Sequence, residues 1–308
     1  MADQTNMTSM EKQTAENVKL ANKVEIRTVI INLILTAVQI VIGLLAGSAA
    51  LVSSAIHTLS DGATTIIVII GVNVAGKKMD KSHQYGHERF ECVASMIMAV
   101  ILAIVGLGIG YTAVKDIIEG EYEPMSMEIA AMAIALMTIA VKEWMFWYTR
   151  AAAKKINSGA LMADAWHSRS DALATIGAFL GILGAKLGFP MLDSVAGLII
   201  CVFIIKTAVQ IFKDAVNQMV DKSCDPETLK RLESIILAQE GVLAIDDLRT
   251  RMFGSKIFVD IEIAANGDLT LTETHKIAES VHDAVEMGFP LVKHVMVHVN
   301  PAAKGEKQ

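Results

Sequence analysis

The sequence predicts an α-helical membrane protein with six transmembrane helices, followed by a small cytoplasmic α+β domain at the C-terminus. Hydrophobic residues form 53% of the 308 positions and charged residues 19%, with a mean hydropathy of +0.46, which is too apolar for an average soluble protein. Uncharged runs such as 28–56 and 92–114 are about as long as the roughly 20 residues that a membrane-spanning helix needs. After Lys213 the sequence changes to that of a soluble domain.

The transmembrane domain is predicted at residues 24–213, after a polar cytoplasmic tail at residues 1–23 that lacks the pattern of a cleaved signal. Lys142 and Glu143 interrupt its fourth span, and we expect the lysine to reach the lipid headgroups from near the helix end. Apolar runs with charged ends predict the six spans at about residues 24–46, 50–76, 88–113, 127–149, 157–185 and 190–212.

The loops between the spans differ in their basic residues, and this difference predicts the orientation of the chain. Two loops, between spans two and three and between spans four and five, are basic through Lys77, Lys78, Lys81, Arg89, Arg150, Lys154 and Lys155. The opposite loops carry few basic residues. The positive-inside rule then places both termini in the cytoplasm, and we expect a multi-pass protein of the bacterial inner membrane.

The C-terminal domain is predicted at residues 214–301, before a short tail at residues 302–308. Asp225-Pro226-Glu227 is typical of a helix start. The predicted elements are a helix at 228–239, strands at 244–252 and 256–263, a helix at 272–287 and a strand at 294–299. In the last strand Val295, Val297 and Val299 alternate with His294, Met296 and His298, so the two sets face opposite sides. The order α-β-β-α-β predicts a two-layer domain.

Charge and cysteine content exclude several classes of partner and cofactor. The net charge of −6 comes from 33 acidic and 27 basic side chains without a basic stripe, so we expect no nucleic-acid partner. Cys92, Cys201 and Cys224 lie far apart in the sequence, which predicts neither a disulfide framework nor a thiolate metal cluster.

A polar motif occurs twice within the apolar sequence. His57 and Asp61 in the second span, and His167 and Asp171 in the fifth, stand four residues apart, so on a helix each pair lies on one face. The match between the copies extends to Thr58 and Ser168, Ser60 and Ser170, and Thr65 and Thr175. A hydrogen bond between helices would explain one such pair, but two copies at the same spacing favour a shared site.

Two imidazoles and two carboxylates form a ligand set that suits tetrahedral Zn²⁺ better than Cd²⁺, Co²⁺, Fe²⁺ or Mn²⁺. The two carboxylates carry a charge that one divalent cation cancels in a low-dielectric surrounding. Histidine has an ordinary pKa of about 6.5, so protons and metal compete for the same atoms, as metal/proton exchange requires. Four protein ligands leave no open position for an activated water, which argues against hydrolysis.

These features together resemble the cation diffusion facilitator family of divalent-metal exporters. The resemblance covers roughly residues 25–301, and its most specific part is the run Ala163-Asp164-x-x-His167-x-x-x-Asp171, with Tyr85-Gly86-His87 in a loop. It implies a homodimer with ferredoxin-like cytoplasmic domains and alternating access driven by proton antiport. Within the family a site of two His and two Asp is the zinc-type arrangement. Some bacterial relatives with Asp in place of His57 accept a wider range of metals.

The resemblance also implies sites outside the spans. Asp80, His83 and His87 match a second metal site in the loop between spans two and three, although a solvated loop would explain them equally well. In the C-terminal domain the resemblance implies a metal-sensing cluster at Asp246, Glu262, His275 and His298 that is matched only in part. His275 and His298 are present, but Asp246 and Glu262 stand where relatives often have His, and Asn300 stands where they have Asp. Arg89 and Asp221 match a charge pair between the two domains, which as an exposed pair contributes about 0 to 1 kcal/mol.

The leading functional hypothesis is proton-coupled export of Zn²⁺, with Cd²⁺ as a further candidate, through His57, Asp61, His167 and Asp171. The alternative keeps the architecture and changes the ion to Mn²⁺, Fe²⁺ or Co²⁺. A metal-responsive membrane scaffold without transport is a third hypothesis. An intramembrane metallohydrolase is disfavoured because the sequence contains no His-Glu-x-x-His.

Overall fold

A computed structural model describes residues 2–45, 49–119, 129–186 and 191–302 of the chain. Within these ranges, the side chains of several residues, among them residue 57, lie outside the description. Contacts divide the chain into two compact units, Thr14–Val216 and a second unit that contains the C-terminal domain.

The unit Thr14–Val216 is built from long helices, each of which covers most of one predicted span. Over the described residues they are α1 at Ala2–Leu45, α2 at Ala49–Ala75, α3 at Arg89–Glu119, α4 at Ile129–Ile156, α5 at Gly159–Lys186 and α6 at Met191–Met219. Segments Lys12–Ile42 and Arg89–Glu119 are long and apolar enough to cross a membrane by length and composition. That all six helices cross the membrane stays a prediction.

Helix α1 begins well before the predicted span. The segment predicted as a polar tail is helical from Ala2 onward. Helix α1 contains no Gly or Pro before Gly43 that would interrupt it. Ala21 and Val24 are fully buried in the core of the unit, with Val18 and Leu20 packed against them. Val18, Leu20 and Ala21 lie among charged residues, and they extend the packed part of α1 toward its N-terminus, beyond the uncharged run.

Helix α5 carries the second copy of the polar motif and packs against α2, α3 and α4. The connection from α4 is short: Asn157 takes a left-handed conformation with φ of 54°, and the Ser158 side chain accepts a hydrogen bond from the Leu161 backbone at 3.2 Å. This N-terminal cap fixes the start of α5, and with it the position of the motif that follows on the same helix.

The C-terminal domain has the predicted order of elements. They are α7 at Pro226–Leu237, β1 at Ala244–Phe253, β2 at Lys256–Ala265, α8 at Leu271–Gly288 and β3 at Val292–Pro301. Asp225 caps α7 by accepting hydrogen bonds from two backbone N–H groups, and Thr270 and Glu273 form a capping box at the start of α8. Both helix starts therefore follow from local sequence signals.

The sheet has the order β1-β2-β3, with β1 antiparallel and β3 parallel to the central strand β2. Val259, Ile261 and Ile263 of β2 are buried against Val281 and Val285 of α8 in one core. The alternation predicted for the last strand is confirmed: the valines of β3 contribute to this core, Val295 as a buried residue and Val297 and Val299 as partly buried ones.

Candidate metal site

Three of the four residues predicted to bind metal come together between α2 and α5. One ligand atom from each of Asp61, His167 and Asp171 lies within 4.8 Å of the others, and all three residues are buried, with exposures of 4%, 4% and 7%. His57 lies on α2 one turn before Asp61, but its side chain lies outside the described part of the structure. The repeated motif thus brings two carboxylates and one imidazole to a single buried position.

The imidazole of His167 is available for coordination. Its Nε2 lies 3.7 Å from Oδ1 of Asp61, and neither ring nitrogen has a hydrogen-bond partner among the described residues. A buried polar atom without a partner costs free energy, and in native structures it often marks an unseen ion or a functional role. The donor set of Asp61, His167 and Asp171 therefore fits a divalent transition-metal ion as a substrate.

Each copy of the motif makes the same hydrogen bond between a threonine side chain and the backbone. Thr65 Oγ1 donates to the carbonyl oxygen of Asp61 at 3.3 Å, and Thr175 Oγ1 donates to that of Asp171 at 2.8 Å. Thr65 also donates to Oδ1 of the buried Asp164 at 3.3 Å, which joins α2 to α5. The matched threonines thus make equivalent hydrogen bonds from one turn after each aspartate.

Lys142 is part of the site, contrary to the prediction that it reaches the lipid headgroups. Its Nζ lies 2.6 Å from Oδ2 of Asp61 and 3.0 Å from Oδ2 of Asp171, and its side chain is 2% exposed. The attraction to two buried carboxylates holds the ammonium inside the bundle, since opposite charges interact strongly where water is excluded. Lys142 therefore links α4 to both aspartates.

A buried polar chain adjoins the site on the side of α1. Thr58 Oγ1 donates to Oε1 of Gln39 at 3.1 Å, and Gln39 Nε2 donates to Oγ1 of Thr138 at 3.2 Å. All three side chains are buried. These bonds join α1, α2 and α4 next to the residue that precedes Thr58, which is the predicted ligand His57.

The loop residues predicted to bind a second metal also come together. Ligand atoms of Asp80, His83 and His87 lie within 4.8 Å of one another; His87 Nε2 is 3.3 Å and His83 Nδ1 is 3.5 Å from the Asp80 carboxylate. The side chain of Ser82 and the backbone of His83 donate hydrogen bonds to Asp80, and these bonds lower its pKa to about 2. Gly86, with φ of 103°, provides the turn that returns the chain toward Asp80.

The predicted C-terminal ligands do not join a comparable cluster. No group of three potential metal ligands found among the described residues includes Asp246, Glu262, His275 or His298. Glu262 and His298 are register partners on β2 and β3, and His275 is exposed on α8. The Asn300 amide donates to Asp246 at 2.9 Å and to Glu262 at 3.4 Å, so it holds the two carboxylates itself.

The predicted charge pair of Arg89 and Asp221 would join the two compact units and stays a prediction. Arg89 begins α3, and Asp221 follows α6 with a left-handed φ of 60°.

Comparison with known protein families and proteins covers almost the whole chain. The cation efflux transmembrane domain matches residues 26–220, and the cytoplasmic domain of cation efflux proteins matches residues 224–302. The transporter MJ0449 of Methanocaldococcus jannaschii is 34% identical over 275 residues, which are 89% of this chain and 96% of that protein.

Two relatives from Bacillus subtilis are described as manganese efflux system proteins. MneP is 30% identical, with 93% of this chain and 98% of MneP covered, and MneS is 32% identical, with 87% and 91% covered. The two family domains follow one another along the chain, from residues 26–220 to residues 224–302. The chain therefore belongs to the cation diffusion facilitator family, whose members are membrane transporters of metal cations and not enzymes.

Proposed function

We propose that the protein exports Zn²⁺ from the cytoplasm in exchange for protons, through a site formed by His57, Asp61, His167 and Asp171. The observation that carries the proposal is the buried cluster of Asp61, His167 and Asp171 between α2 and α5. This cluster lies within the residues that match the cation efflux transmembrane domain. Transporters of several folds place their substrate sites between helices at mid-membrane depth.

Proton exchange follows from the chemistry of these donors. A divalent cation binds carboxylates and neutral imidazole, and it leaves when those atoms accept protons. Neither ring nitrogen of His167 has a hydrogen-bond partner in the described region, so the nitrogen that carries the lone pair in neutral imidazole can accept either a metal ion or a proton. Metal and protons would thus occupy one site in alternation.

Mn²⁺ is the second candidate cargo. Two relatives of this chain are described as manganese efflux system proteins, and two of the three described donors are carboxylates, which suit Mn²⁺. Imidazole from His167, together with the predicted contribution of His57, favours Zn²⁺. We therefore give precedence to Zn²⁺ and treat Cd²⁺, Fe²⁺ and Co²⁺ as weaker substrates.

We further propose a homodimer in the bacterial inner membrane with both termini in the cytoplasm. The match of residues 224–302 to the dimer-forming cytoplasmic domain of cation efflux proteins supports the dimer. The basic loops around Lys77 and Lys154 support the orientation. In this arrangement the loop residues Asp80, His83 and His87 face the cytoplasm, where they could receive metal before transport.

The test is metal flux into proteoliposomes that contain the purified protein and an imposed pH gradient. Asp61→Asn and His167→Ala should each abolish Zn²⁺ flux, because each removes a donor from the cluster. Asp214→Asn is the matched control, since Asp214 is exposed near the end of α6 and should leave flux unchanged. Unchanged flux in Asp61→Asn would refute the site.

The same vesicles decide between the two cargoes. We expect Zn²⁺ flux to exceed Mn²⁺ flux at equal free concentrations, and collapse of the pH gradient to stop both. Faster Mn²⁺ flux would assign manganese as the cargo. Flux that stays the same after the pH gradient is collapsed would refute proton exchange.

A further inference from the structure

Lys142 occupies the position that a cation shared by the two aspartates would take. Its ammonium contacts Oδ2 of Asp61 at 2.6 Å and Oδ2 of Asp171 at 3.0 Å, and so bridges α2 and α5 from α4. The side chain is 2% exposed, so these carboxylates are its neighbours in place of water. A divalent ion bound by the same carboxylates would lie within a few ångströms of the ammonium.

Two cations cannot share these oxygens at low cost. The electrostatic repulsion between like charges a few ångströms apart is several-fold larger inside a protein than in water. The side chain of lysine is a flexible four-carbon stem with a compact charge at its end, so the ammonium can leave while the helix stays in place. Metal binding would therefore require the ammonium to move away from Asp61 and Asp171.

The backbone of α4 is held against α5 next to this side chain. The Glu143 carboxylate lies 3.5 Å from the Arg169 guanidinium, which in turn lies 4.4 Å from the ring centre of Phe146. These contacts are made by Glu143, which follows Lys142, and by Phe146, which lies one turn after Lys142. They leave the side chain of Lys142 as the part of α4 that can exchange with a metal ion.

We propose that Lys142 is a tethered competitor of the transported metal ion. It binds the two carboxylates when the ion is absent, and the ion must displace it to bind. This inference deepens the proposed function and rests on it, since it takes Asp61 and Asp171 as transport ligands. Competition lowers the affinity for the ion and so promotes release on the far side of the membrane. The ammonium also compensates the buried carboxylates while the empty transporter returns.

The test is equilibrium titration of the full-length purified protein with Zn²⁺ and with Mn²⁺, followed by calorimetry. Asp61→Asn identifies the isotherm of the transport site, because it removes a ligand there and leaves the loop residues unchanged. Lys142→Gln and Lys142→Met both remove the competing charge, and two variants guard against a folding defect in one of them. Lys142→Arg keeps the charge, and Lys154→Gln is the matched control, an exposed lysine on the same helix.

We expect the neutral Lys142 variants to bind metal at least about tenfold more tightly at the transport site, and to transport it more slowly because release becomes harder. Lys142→Arg should bind within about threefold of the wild type, and Lys154→Gln should match the wild type in binding and flux. Equal or weaker binding by both neutral variants would overturn the proposal, and weaker binding would indicate that the lysine is a ligand.

The outcomes for the two proposals are distinguishable. If Asp61→Asn removes the transport-site isotherm and the neutral lysine variants bind no more tightly, the transport site stands and the competitor role fails. If Asp61→Asn leaves all binding intact, the site itself fails and the competitor role fails with it.

Discussion

The guanidinium of Arg169 lies 4.4 Å from the ring centre of Phe146, so a stacked cation ties α5 to α4 two residues after the predicted metal ligand His167. Arg169 also lies 3.5 Å from the Glu143 carboxylate, which neighbours Lys142. The contact therefore fixes the register of the two helices that supply the histidine and the lysine of the site.

We expect Arg169→Ala to reduce metal flux several-fold and to lower protein stability by about 1 to 2 kcal/mol, the sum of a stacked cation and a partly exposed ion pair. Arg169→Lys should recover part of the loss, because it keeps the charge without the planar stacking. Thermal unfolding in detergent and proteoliposome flux measure the two effects. Lys206→Gln, an exposed site on α6, serves as the control; an Arg169→Ala variant that matches it would contradict the role.

The loop cluster gives a prediction for pH dependence. Hydrogen bonds from Ser82 and His83 lower the pKa of Asp80 to about 2, so the carboxylate stays charged through the physiological range. Its contribution to the loop is complete above the ordinary aspartate pKa and is lost only as pH falls through about 2. The affinity of the loop for metal between pH 5 and 8 should therefore not depend on protonation of Asp80.

In an Asp61→Asn background, Asp80→Asn should weaken metal binding at the loop by at least about tenfold, by the same factor at pH 5.5 and at pH 7.5. Ser82→Ala should leave affinity nearly unchanged at both pH values, since the Asp80 carboxylate stays charged there even without the hydrogen bond from Ser82. A tenfold effect of Asp80→Asn that disappears at pH 5.5 would refute this assignment.

Close packing of α2 on α3 depends on a glycine. A Cβ at Gly71 would clash with Cβ of Ala94, an atom that cannot rotate away. Gly71→Ala should therefore destabilise the protein by about 1 to 3 kcal/mol, as overpacking does elsewhere. Gly108→Ala on α3 is the control, because no heavy atom of the described chain lies within 4 Å of the place that its added methyl group would take. Equal melting temperatures for the two variants would contradict this packing.

The Asn300 amide donates hydrogen bonds to both Asp246 and Glu262. Asn300→Asp would place three carboxylates together, which should lower the stability of a 214–302 fragment by about 1 kcal/mol, or about 4 to 8 °C in melting temperature. Millimolar Zn²⁺ should reverse the loss. Asn266→Asp, the same charge change in an exposed loop, should show neither effect; no rescue of Asn300→Asp by metal would contradict the prediction.

Local signals predicted the C-terminal domain well. The capping residue Asp225, the turn at residues 253–255 and the alternating valines of the last strand each specify structure over a few residues. The spacing of His57 and Asp61 and of His167 and Asp171 predicted that each pair shares a helix face, because residues four apart lie one turn above each other. Asp61, His167 and Asp171 lie next to one another in the structure, and their binding of metal stays a prediction.

The role of Lys142 could not be predicted from spacing, because its partners lie on other helices. Its position near the middle of α4 did carry a signal: a lysine within an apolar span needs a carboxylate partner, and Asp61 and Asp171 lie in other spans. Gln39 and Thr138 are also distant in sequence and meet only in the folded bundle. Such contacts depend on helix packing, which local sequence does not determine.

The strand order β1-β2-β3 leaves β1 at an edge of the sheet, and that edge is charged through Asp247, Arg249 and Arg251, with Arg249 and Asp247 joined at 2.6 Å. Charged edges disfavour the addition of a strand from another molecule. The charged side chains of β1 therefore disfavour extension of the sheet by a second cytoplasmic domain at this edge. A dimer contact that avoids β1 would form and break without the loss of any backbone hydrogen bond of this strand.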